Sequence, residues 1–309
     1  MILFCGIPSE PPVERVRTEL VDLGVPHVMF NQREANQASV EFGVEGDSIS
    51  GALTVTDGTF ELASISGVYT RMMDSSRLPE LADEPPTSPK RSKVAEVHDA
   101  LTRWMEIAPG RVINRVSAMS SNHSKPYQSQ IISAFGFATP ETLITNDPEA
   151  ARAFRERVGR VVYKSISGAR SIVSEVTQDD VRRLDDIRWC PVQFQEYVPG
   201  LDVRVHVVGT KVFATAVNAD GIDYRYVGRL DGGELDLNPV DIDGTVAGAC
   251  IALTEHLGLE LSGIDLRQTP DGRIYCFEVN PSPAFTFYES GTGQPIARAI
   301  ARHLAGDDD

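Results

Sequence analysis

The sequence predicts an α/β lobe at the N-terminus followed by two α+β lobes. The first 30 residues read as strand, helix, strand, with two prolines at the helix start and a glycine at its end. Residues 111–160 then alternate strands with helices, and residues 161–280 hold alternating polar and apolar runs between turn residues. This order predicts a βαβ unit first and antiparallel hairpins later.

The first lobe is predicted to span residues 1–112. Residues 38–62 alternate between glycine-rich breaks and predict short antiparallel strands at its edge. A strand at 66–71, a proline-rich surface loop at 78–89 and a helix at 90–107 follow. Because the opening unit lacks G-x-G-x-x-G, no dinucleotide site is predicted there.

A central lobe at residues 113–195 and a C-terminal lobe at residues 196–309 are predicted next. Asp147 and Pro148 have the residue types of a helix cap and a first helical residue. Two strands are predicted around Gly168. The other expected elements are strands at 111–116, 139–145 and 191–200, hairpins at 203–217 and 262–280, and helices at 124–135, 243–257 and 295–304.

Length and charge exclude several classes of protein. A chain of 309 residues with 41% hydrophobic and 24% charged residues can bury a sizeable core. No apolar run approaches the roughly 20 residues that span a bilayer, so no membrane insertion is expected. The net charge of -15 repels phosphate backbones, so nucleic acid is not an expected partner. A single nucleotide can still bind, because nearby cations dominate over a distant, screened field.

Four cysteines lie far apart and show no C-x-x-C spacing. We therefore predict buried free thiols in a reducing cytoplasm. They are Cys5, Cys190, Cys250 and Cys276.

The hairpin near the C-terminus carries the most informative pattern. Asp271 and Gly272 predict a two-residue turn, since both central positions favour positive φ. Counting outward places Asp265 opposite Glu278, and Asn280 on the same face. The other face is predicted to be apolar, formed by Ile264, Leu266, Phe277 and Val279.

Directly opposed carboxylates repel one another, so a sheet needs a proton or a cation between them. Magnesium prefers carboxylate and amide oxygens and completes its octahedron with water and phosphates. Asp265, Glu278 and Asn280 are therefore predicted metal ligands. The alternative is a solvated hairpin face whose charges are merely exposed.

Cations and an extended edge suited to a nucleotide precede this hairpin. Lys125 starts a predicted helix and Lys164 ends a predicted strand, where either can approach phosphates. Residues 193–200 offer a backbone edge of the kind that adenine recognition requires, and Asp202 can accept hydrogen bonds from ribose hydroxyls.

The order of these parts resembles the ATP-grasp superfamily, most closely its glutamate-ligase-like (RimK-like) branch and the peptide ligases that make graspetides. The resemblance covers residues 112–304, and SGIDLR and FEVNPSP are its most specific motifs. The weaker motifs are NHSKPYQ, VVYKSISGARSIV and VQFQEYVPGLDVRVHVVG.

The resemblance implies an ATP-grasp fold with the nucleotide between the central and C-terminal lobes, and ATP with one or two Mg²⁺ ions, replaceable by Mn²⁺, as cofactors. Arg204 would approach the phosphates or the acyl group; the alternative is an ion pair within the sheet. The other implied contacts are Lys125 and Lys164 to phosphates, Gln195, Glu196, Tyr197 and Val198 to adenine, Asp202 to ribose, and Asp265, Glu278 and Asn280 to magnesium.

One segment departs from the pattern. Many ATP-grasp enzymes close over the triphosphate with a loop of several glycines, whereas residues 165–171 hold a single one. Ser167, Gly168 and backbone N–H groups can still cradle phosphate, and Arg170 can add charge. A plain hairpin turn is the alternative.

Such ligases activate a carboxylate as an acylphosphate, which an amine or hydroxyl then captures. Lys164, Arg204 and Arg267 are the catalytic candidates, and Arg71 and Arg267 are candidates to grip a carboxylate. His123 and His206 fall near the site, where either can be a base or a hydrogen-bonded structural residue, and we favour the structural role.

The expected substrates are a small-molecule or peptide carboxylate and an amine or hydroxyl acceptor, bound by the first lobe and residues 283–289. A ribosomal peptide maturase is one specific form, and a homodimer or homotetramer is the expected assembly. A nucleotide-binding regulatory protein and a small-molecule kinase remain alternatives, because the positioning of phosphates is shared.

Overall fold

The computed structural model describes residues 1–165, 173–219 and 235–308. Its first sheet is parallel and confirms the predicted opening. The strands run in the order β2-β1-β6-β7. They are β1 (Ile2–Gly6), β2 (His27–Asn31), β6 (Gly67–Thr70) and β7 (Arg111–Ile113).

Helices cover both faces of this sheet. On one face α2 (Pro89–Ile107) packs, with Leu101 and Trp104 buried against the strands. On the other face α1 (Pro11–Asp22) lies beside the last helix of the chain, α8 (Ile296–Ala305). The C-terminal helix therefore belongs to the core of the first lobe.

A small antiparallel sheet, β3 (Ser39–Glu45), β4 (Ser48–Val55) and β5 (Gly58–Glu61), confirms the strands predicted for residues 38–62. The proline-rich loop contains short 3-10 turns at Ser75–Arg77 and Pro79–Leu81. Other 3-10 turns are Gln32–Glu34, Leu62–Ser64, Ala118–His123 and Leu184–Trp189.

The central sheet has the order β10-β9-β11-β8. Its strands are β8 (Thr142–Thr145), β9 (Val161–Ser165), β10 (Ser174–Glu175) and β11 (Val192–Glu196), with helices α4 (Pro148–Val158) and α5 (Gln178–Arg182). Asp147 caps α4 as predicted, because its side chain accepts a hydrogen bond from the Glu149 N–H. Strands β9 and β10 pair as predicted, but Ser167, Gly168 and Arg170 between them lie outside the described residues.

The third sheet is antiparallel, in the order β14-β13-β12-β15-β16. Its strands are β12 (Leu201–Val208), β13 (Lys211–Ala219), β14 (Leu235–Pro239), β15 (Leu261–Gln268) and β16 (Ile274–Asn280). Helices α3 (Lys125–Ala134) and α6 (Gly244–His256) pack on one face, where Ile132 and Leu253 join the core. The other face of the sheet carries Asp202, Arg204 and His206. Helix α7 (Thr286–Thr292) follows the hairpin of β15 and β16.

Two observations concern exposure. Cys5, Cys250 and Cys276 are buried free thiols, but Cys190 is exposed, so the prediction for that residue was wrong. Cys190 directly follows the 3-10 turn Leu184–Trp189, in which Leu184 is the buried residue. Among the described helices, none has the length and apolar character needed to cross a membrane.

Candidate nucleotide and metal site

The hairpin formed by β15 and β16 places the two predicted carboxylates directly opposite each other. Asp265 pairs with Glu278 and Gly263 pairs with Asn280, which confirms the register predicted for these residues. Glu278 and Asn280 are two residues apart on one strand and so share a face. The three oxygen-bearing side chains therefore meet at one end of the hairpin.

The predicted turn was nevertheless wrong by one residue. Gln268 pairs with Ile274, and the Gly272 N–H donates to the Thr269 carbonyl, so the loop is longer than Asp271-Gly272. Gly272 has φ +85°, as a three-residue loop with a bulge requires. A register shift between Asp265 and Leu266 compensates for this extra residue.

The shift also changes which residues face the core. Leu266 pairs with Cys276 rather than Phe277, and Cys276 is 1% exposed within the core under the sheet. Phe277 instead lies near the guanidinium of Arg267, 5.1 Å from ring centroid to Cζ. The prediction that Phe277 belongs to the apolar face was therefore wrong.

Strand β12 supplies two further charged residues beside the hairpin. Arg204 Nη1 contacts Asp265 Oδ1 at 2.6 Å. Arg267 forms a two-pronged pair with Asp202, with both N–O distances at 2.8 Å, and its Nη1 donates to the Val198 carbonyl. Arg267 therefore links the predicted ribose ligand, Asp202, to Val198 of the predicted adenine edge.

Lys125 reaches the hairpin from the first residue of α3. Its Nζ lies 2.7 Å from Glu278 Oε2 and 3.1 Å from Asn122 Oδ1. The helix is held against β16 by Gln128, whose amide exchanges hydrogen bonds with the backbone of Val279. The structure therefore places Lys125 next to the predicted metal ligands.

Arg204 is enclosed on several sides. Its guanidinium lies over the ring of Tyr288, 5.6 Å from the centroid. A Cβ added at Gly263 would overlap Arg204 Nη2 and come within 2.7 Å of Pro283 Cβ. We did not single out Gly263 or Tyr288 from the sequence, although an isolated glycine inside a strand is a known sign of close approach.

His206 follows Arg204 on the same face and is fully buried against Tyr288. Burial, together with the charge of Arg204, holds the pKa of His206 well below its usual value. Neither ring nitrogen has a hydrogen-bond partner within the described ranges. The interpretation of His206 as hydrogen-bonded was therefore wrong; the His123 side chain lies outside the described residues.

The edge predicted for adenine, residues 193–200, begins on β11 of the central sheet. Gln193 and Gln195 are buried on the face opposite Phe194, and Lys164 lies across from Gln193. The Glu196 carboxylate accepts a hydrogen bond from the Glu141 N–H, and the Tyr197 N–H donates to the Arg160 carbonyl. Tyr197 thus directs its N–H into the protein.

Arg71, a candidate to grip a carboxylate, already has partners. Its Nη2 lies 2.7 Å from Glu10 Oε1, and its Nη1 donates to Ser282 Oγ at 2.9 Å. Of the aromatics at 283–289, Phe285 and Tyr288 are buried, whereas Phe287 is half exposed. Arg71 links the first lobe to the turn that follows Asn280.

The donor set fits magnesium when phosphate and water complete it. Two carboxylates and an amide are hard oxygen donors, which Mg²⁺ prefers. No group of three or more His, Cys, Asp or Glu suited to a metal is found within residues 1–165, 173–219 and 235–308. Since two carboxylates and one amide leave positions of the Mg²⁺ octahedron for phosphate and water, this donor set suits a metal that arrives with a nucleotide.

Residues 123–304 match the RimK-like ATP-grasp domain. The chain belongs to this family. A probable alpha-L-glutamate ligase from Marinomonas sp. (strain MWYL1) is 27% identical over 216 residues, which is 66% of this chain and 70% of that protein. A probable alpha-L-glutamate ligase from Vibrio cholerae O1 is 26% identical over 217 residues, again 66% and 70%.

Solved structures of ATP-grasp ligases are similar to this chain over nearly its whole length. The macrocyclase MdnC from Microcystis aeruginosa MRC, bound with precursor peptide MdnA, is 25% identical with a TM-score of 0.80 over 98% of this chain and 99% of that chain. The ATP-grasp ligase PsnB, with a precursor variant, Mg and ADP, is 26% identical with a TM-score of 0.80 over 100% and 98%. The protein is thus an ATP-grasp ligase with ATP and Mg²⁺ as its cofactors.

Proposed function

We propose that this ligase joins a side-chain carboxylate of a ribosomally made peptide to a hydroxyl or amine of the same peptide. The supporting observation is the similarity of the whole chain, first lobe included, to the macrocyclase MdnC and the ATP-grasp ligase PsnB. Both of these structures, each with a TM-score of 0.80, contain a precursor peptide or a variant of one, and this supports a peptide substrate.

In the proposed reaction, a substrate carboxylate attacks the γ-phosphorus of ATP and releases ADP, which gives an acylphosphate. The acceptor amine or hydroxyl then attacks the acyl carbon, loses its proton and displaces phosphate. Bound Mg²⁺ neutralises charge on the phosphates. Lys125 and Lys164 hold phosphate oxygens, and Arg204 stabilises the transferring group. Asp265, Glu278 and Asn280 hold the metal, with Ser167, Gly168 and Arg170 as further predicted phosphate contacts.

For Arg267 we propose positioning rather than contact with the reacting atoms. Its paired hydrogen bonds to Asp202 and its hydrogen bond to Val198 hold the proposed ribose contact next to the proposed adenine edge. A guanidinium suits this bidentate role. Gln195, Glu196, Tyr197 and Val198 would form the adenine edge.

The proposal is tested by incubating the protein with MgATP and the precursor peptide encoded beside its gene. We expect ADP and phosphate, and a peptide lighter by one water for each bond formed. A peptide that gains a phosphoryl group would indicate a kinase, and nucleotide binding without any turnover would indicate a regulatory protein.

The metal assignment predicts that Asp265→Asn and Glu278→Gln each lower kcat by at least 100-fold, because each removes a charged oxygen donor from Mg²⁺. Thermal unfolding of both variants should remain cooperative, which separates lost activity from lost fold. Activity close to wild type in both would remove these residues from the site.

We also propose a cytoplasmic location and a homodimer or homotetramer. Burial raises the pKa of the Cys250 thiol to about 12, and Cys5 and Cys276 are likewise buried and free, as suits a reducing compartment. Light scattering of the purified protein measures the assembly state.

A further inference from the structure

Both carboxylates proposed as metal ligands are paired with a cation of the protein. Arg204 lies 2.6 Å from Asp265, and Lys125 lies 2.7 Å from Glu278. These side chains are between 6% and 21% exposed, so solvent screens the pairs only in part. The two cations offset the repulsion between the opposed carboxylates.

We propose that Lys125 and Arg204 occupy the metal ligands until magnesium and nucleotide arrive together, and then move to the nucleotide phosphates. The inference rests on the proposed metal and nucleotide site. The proposed exchange makes the binding of magnesium and of nucleotide cooperative: each binds weakly alone and strongly in the presence of the other.

The charges of these four side chains explain the coupling. As ionised side chains, Asp265 and Glu278 balance Lys125 and Arg204. A divalent ion added alone is repelled by Lys125 and Arg204, which lie at hydrogen-bond distance from the two carboxylates that would bind the ion. A triphosphate added alone draws Lys125 and Arg204 away from the opposed carboxylates, so the repulsion between these carboxylates increases. When the divalent ion and the triphosphate enter together, the ion pairs with the carboxylates and the phosphates pair with Lys125 and Arg204.

The geometry allows the exchange for each cation. Lys125 also donates to Asn122 Oδ1 in the 3-10 turn that precedes its helix, so it keeps an acceptor there when it leaves Glu278. The Arg204 guanidinium also lies over the Tyr288 ring, a contact that does not depend on Asp265. Both cations can therefore leave the carboxylates without leaving the site.

The experiment measures binding rather than turnover, with Mn²⁺ and AMPPNP as probes. Free Mn²⁺ is followed by electron paramagnetic resonance and AMPPNP by calorimetry, each alone and with the other present. The affinity of Mn²⁺ for AMPPNP in solution is subtracted. We expect each ligand to raise the affinity of the other at least tenfold, by the same factor, since coupling is reciprocal.

Lys125→Met separates exchange from simple phosphate binding. We expect Mn²⁺ alone to bind at least tenfold more tightly, AMPPNP alone to bind more weakly, and the coupling factor to fall. Arg204→Met tests the Asp265 half in the same way. Lys90→Met is the matched control, because it removes a lysine paired with Glu84 in the first lobe.

The outcomes distinguish the two levels of inference. If AMPPNP fails to bind at millimolar concentration even with Mn²⁺, the proposed nucleotide site is lost. If both probes bind wild type independently, the exchange is refuted and the proposed function stands. Unchanged affinity for Mn²⁺ alone in Lys125→Met and Arg204→Met, with AMPPNP weakened, likewise refutes the exchange.

Discussion

Arg204 is the residue on which most contacts of the site converge. It pairs with Asp265, lies over Tyr288, fills the space left by Gly263 and precedes the buried His206 on its strand face. A guanidinium held on several sides loses little conformational entropy when a transferring phosphoryl group arrives. Two neighbours of Arg204 give residue-level predictions.

His206→Phe should stabilise the protein, because it removes two buried ring nitrogens that have no partner within the described ranges. At pH 7.5 we expect a gain of about 1 kcal/mol in the free energy of unfolding. The low pKa of His206 means that only the unfolded chain takes up this proton as pH falls below 6.5, so folding loses stability there.

Between pH 6.5 and 5 the gain from His206→Phe should therefore grow by about 1.5 kcal/mol. Urea denaturation of wild type and variant at several pH values measures this difference. A difference that stays constant with pH would show that His206 titrates alike in the folded and unfolded states.

Gly263→Ala should lower kcat by about 100-fold, because the new methyl group displaces the Arg204 guanidinium. The KM for ATP should change much less. Gly248→Ala is the control, since it lies in α6 with no atom within 4 Å of the added Cβ; a helical Gly→Ala change stabilises by up to about 1 kcal/mol. Steady-state kinetics that leave Gly263→Ala unimpaired would contradict this role.

At the scale of the element, the β15–β16 hairpin contains two irregularities that cancel. Its loop is one residue longer than the Asp-Gly pair predicts, and the shift beside Asp265 restores the register. Period-two counting therefore predicted the Asp265–Glu278 pairing correctly and assigned Phe277 wrongly. Loop length depends on local hydrogen bonds, such as Gly272 N–H to Thr269, which composition does not reveal.

Gly272→Val tests the loop. Gly272 has φ +85° and open space around it, so the cost arises from the backbone alone and should be about 1–2 kcal/mol of unfolding free energy. Gly272→Asn should cost less, because Asn tolerates positive φ. Chemical denaturation compares the two, and equal losses would contradict the conformational explanation.

Long-range pairs account for the part of the site that sequence reasoning did not predict. Residue types and strand order predicted that Lys125, Asp265 and Glu278 belong to one site. The pairing of Lys125 with Glu278, 153 positions apart, and of Arg71 with Glu10 depends on how the helices and lobes pack. Local periodicity carries no information about such packing, so roles were predicted but partners were not.

For the whole molecule, the last helix connects the lobes. α8 packs beside α1 on the first sheet, although it follows the C-terminal sheet in the chain. His303, nearly buried on α8, contacts Glu260 at 2.7 Å and Asp308 at 2.6 Å. Arg111 of β7 contacts Asp308 and the His303 carbonyl. This cluster joins the first sheet, the C-terminal lobe and the chain end.

The cluster should stabilise the protein most at mildly acidic pH. Burial lowers the pKa of His303, but its hydrogen bonds to Glu260 and Asp308 outweigh burial, and the pKa is raised. A raised folded-state pKa favours the protonated folded form. The stabilisation is thus complete below the unfolded value of about 6.5 and is lost as pH rises through the folded value.

His303→Gln should therefore destabilise the protein more at pH 6 than at pH 9, by about 1 kcal/mol in the difference. The Glu260 and Asp308 carboxylates stay ionised across this window, because hydrogen bonds to His303 lower both pKa values. Thermal unfolding at both pH values measures the effect, and His256→Gln, which removes an exposed histidine, is the control. A larger loss at pH 9 than at pH 6 would mean that neutral His303 makes the stronger contacts and that the charge does not hold the three segments together.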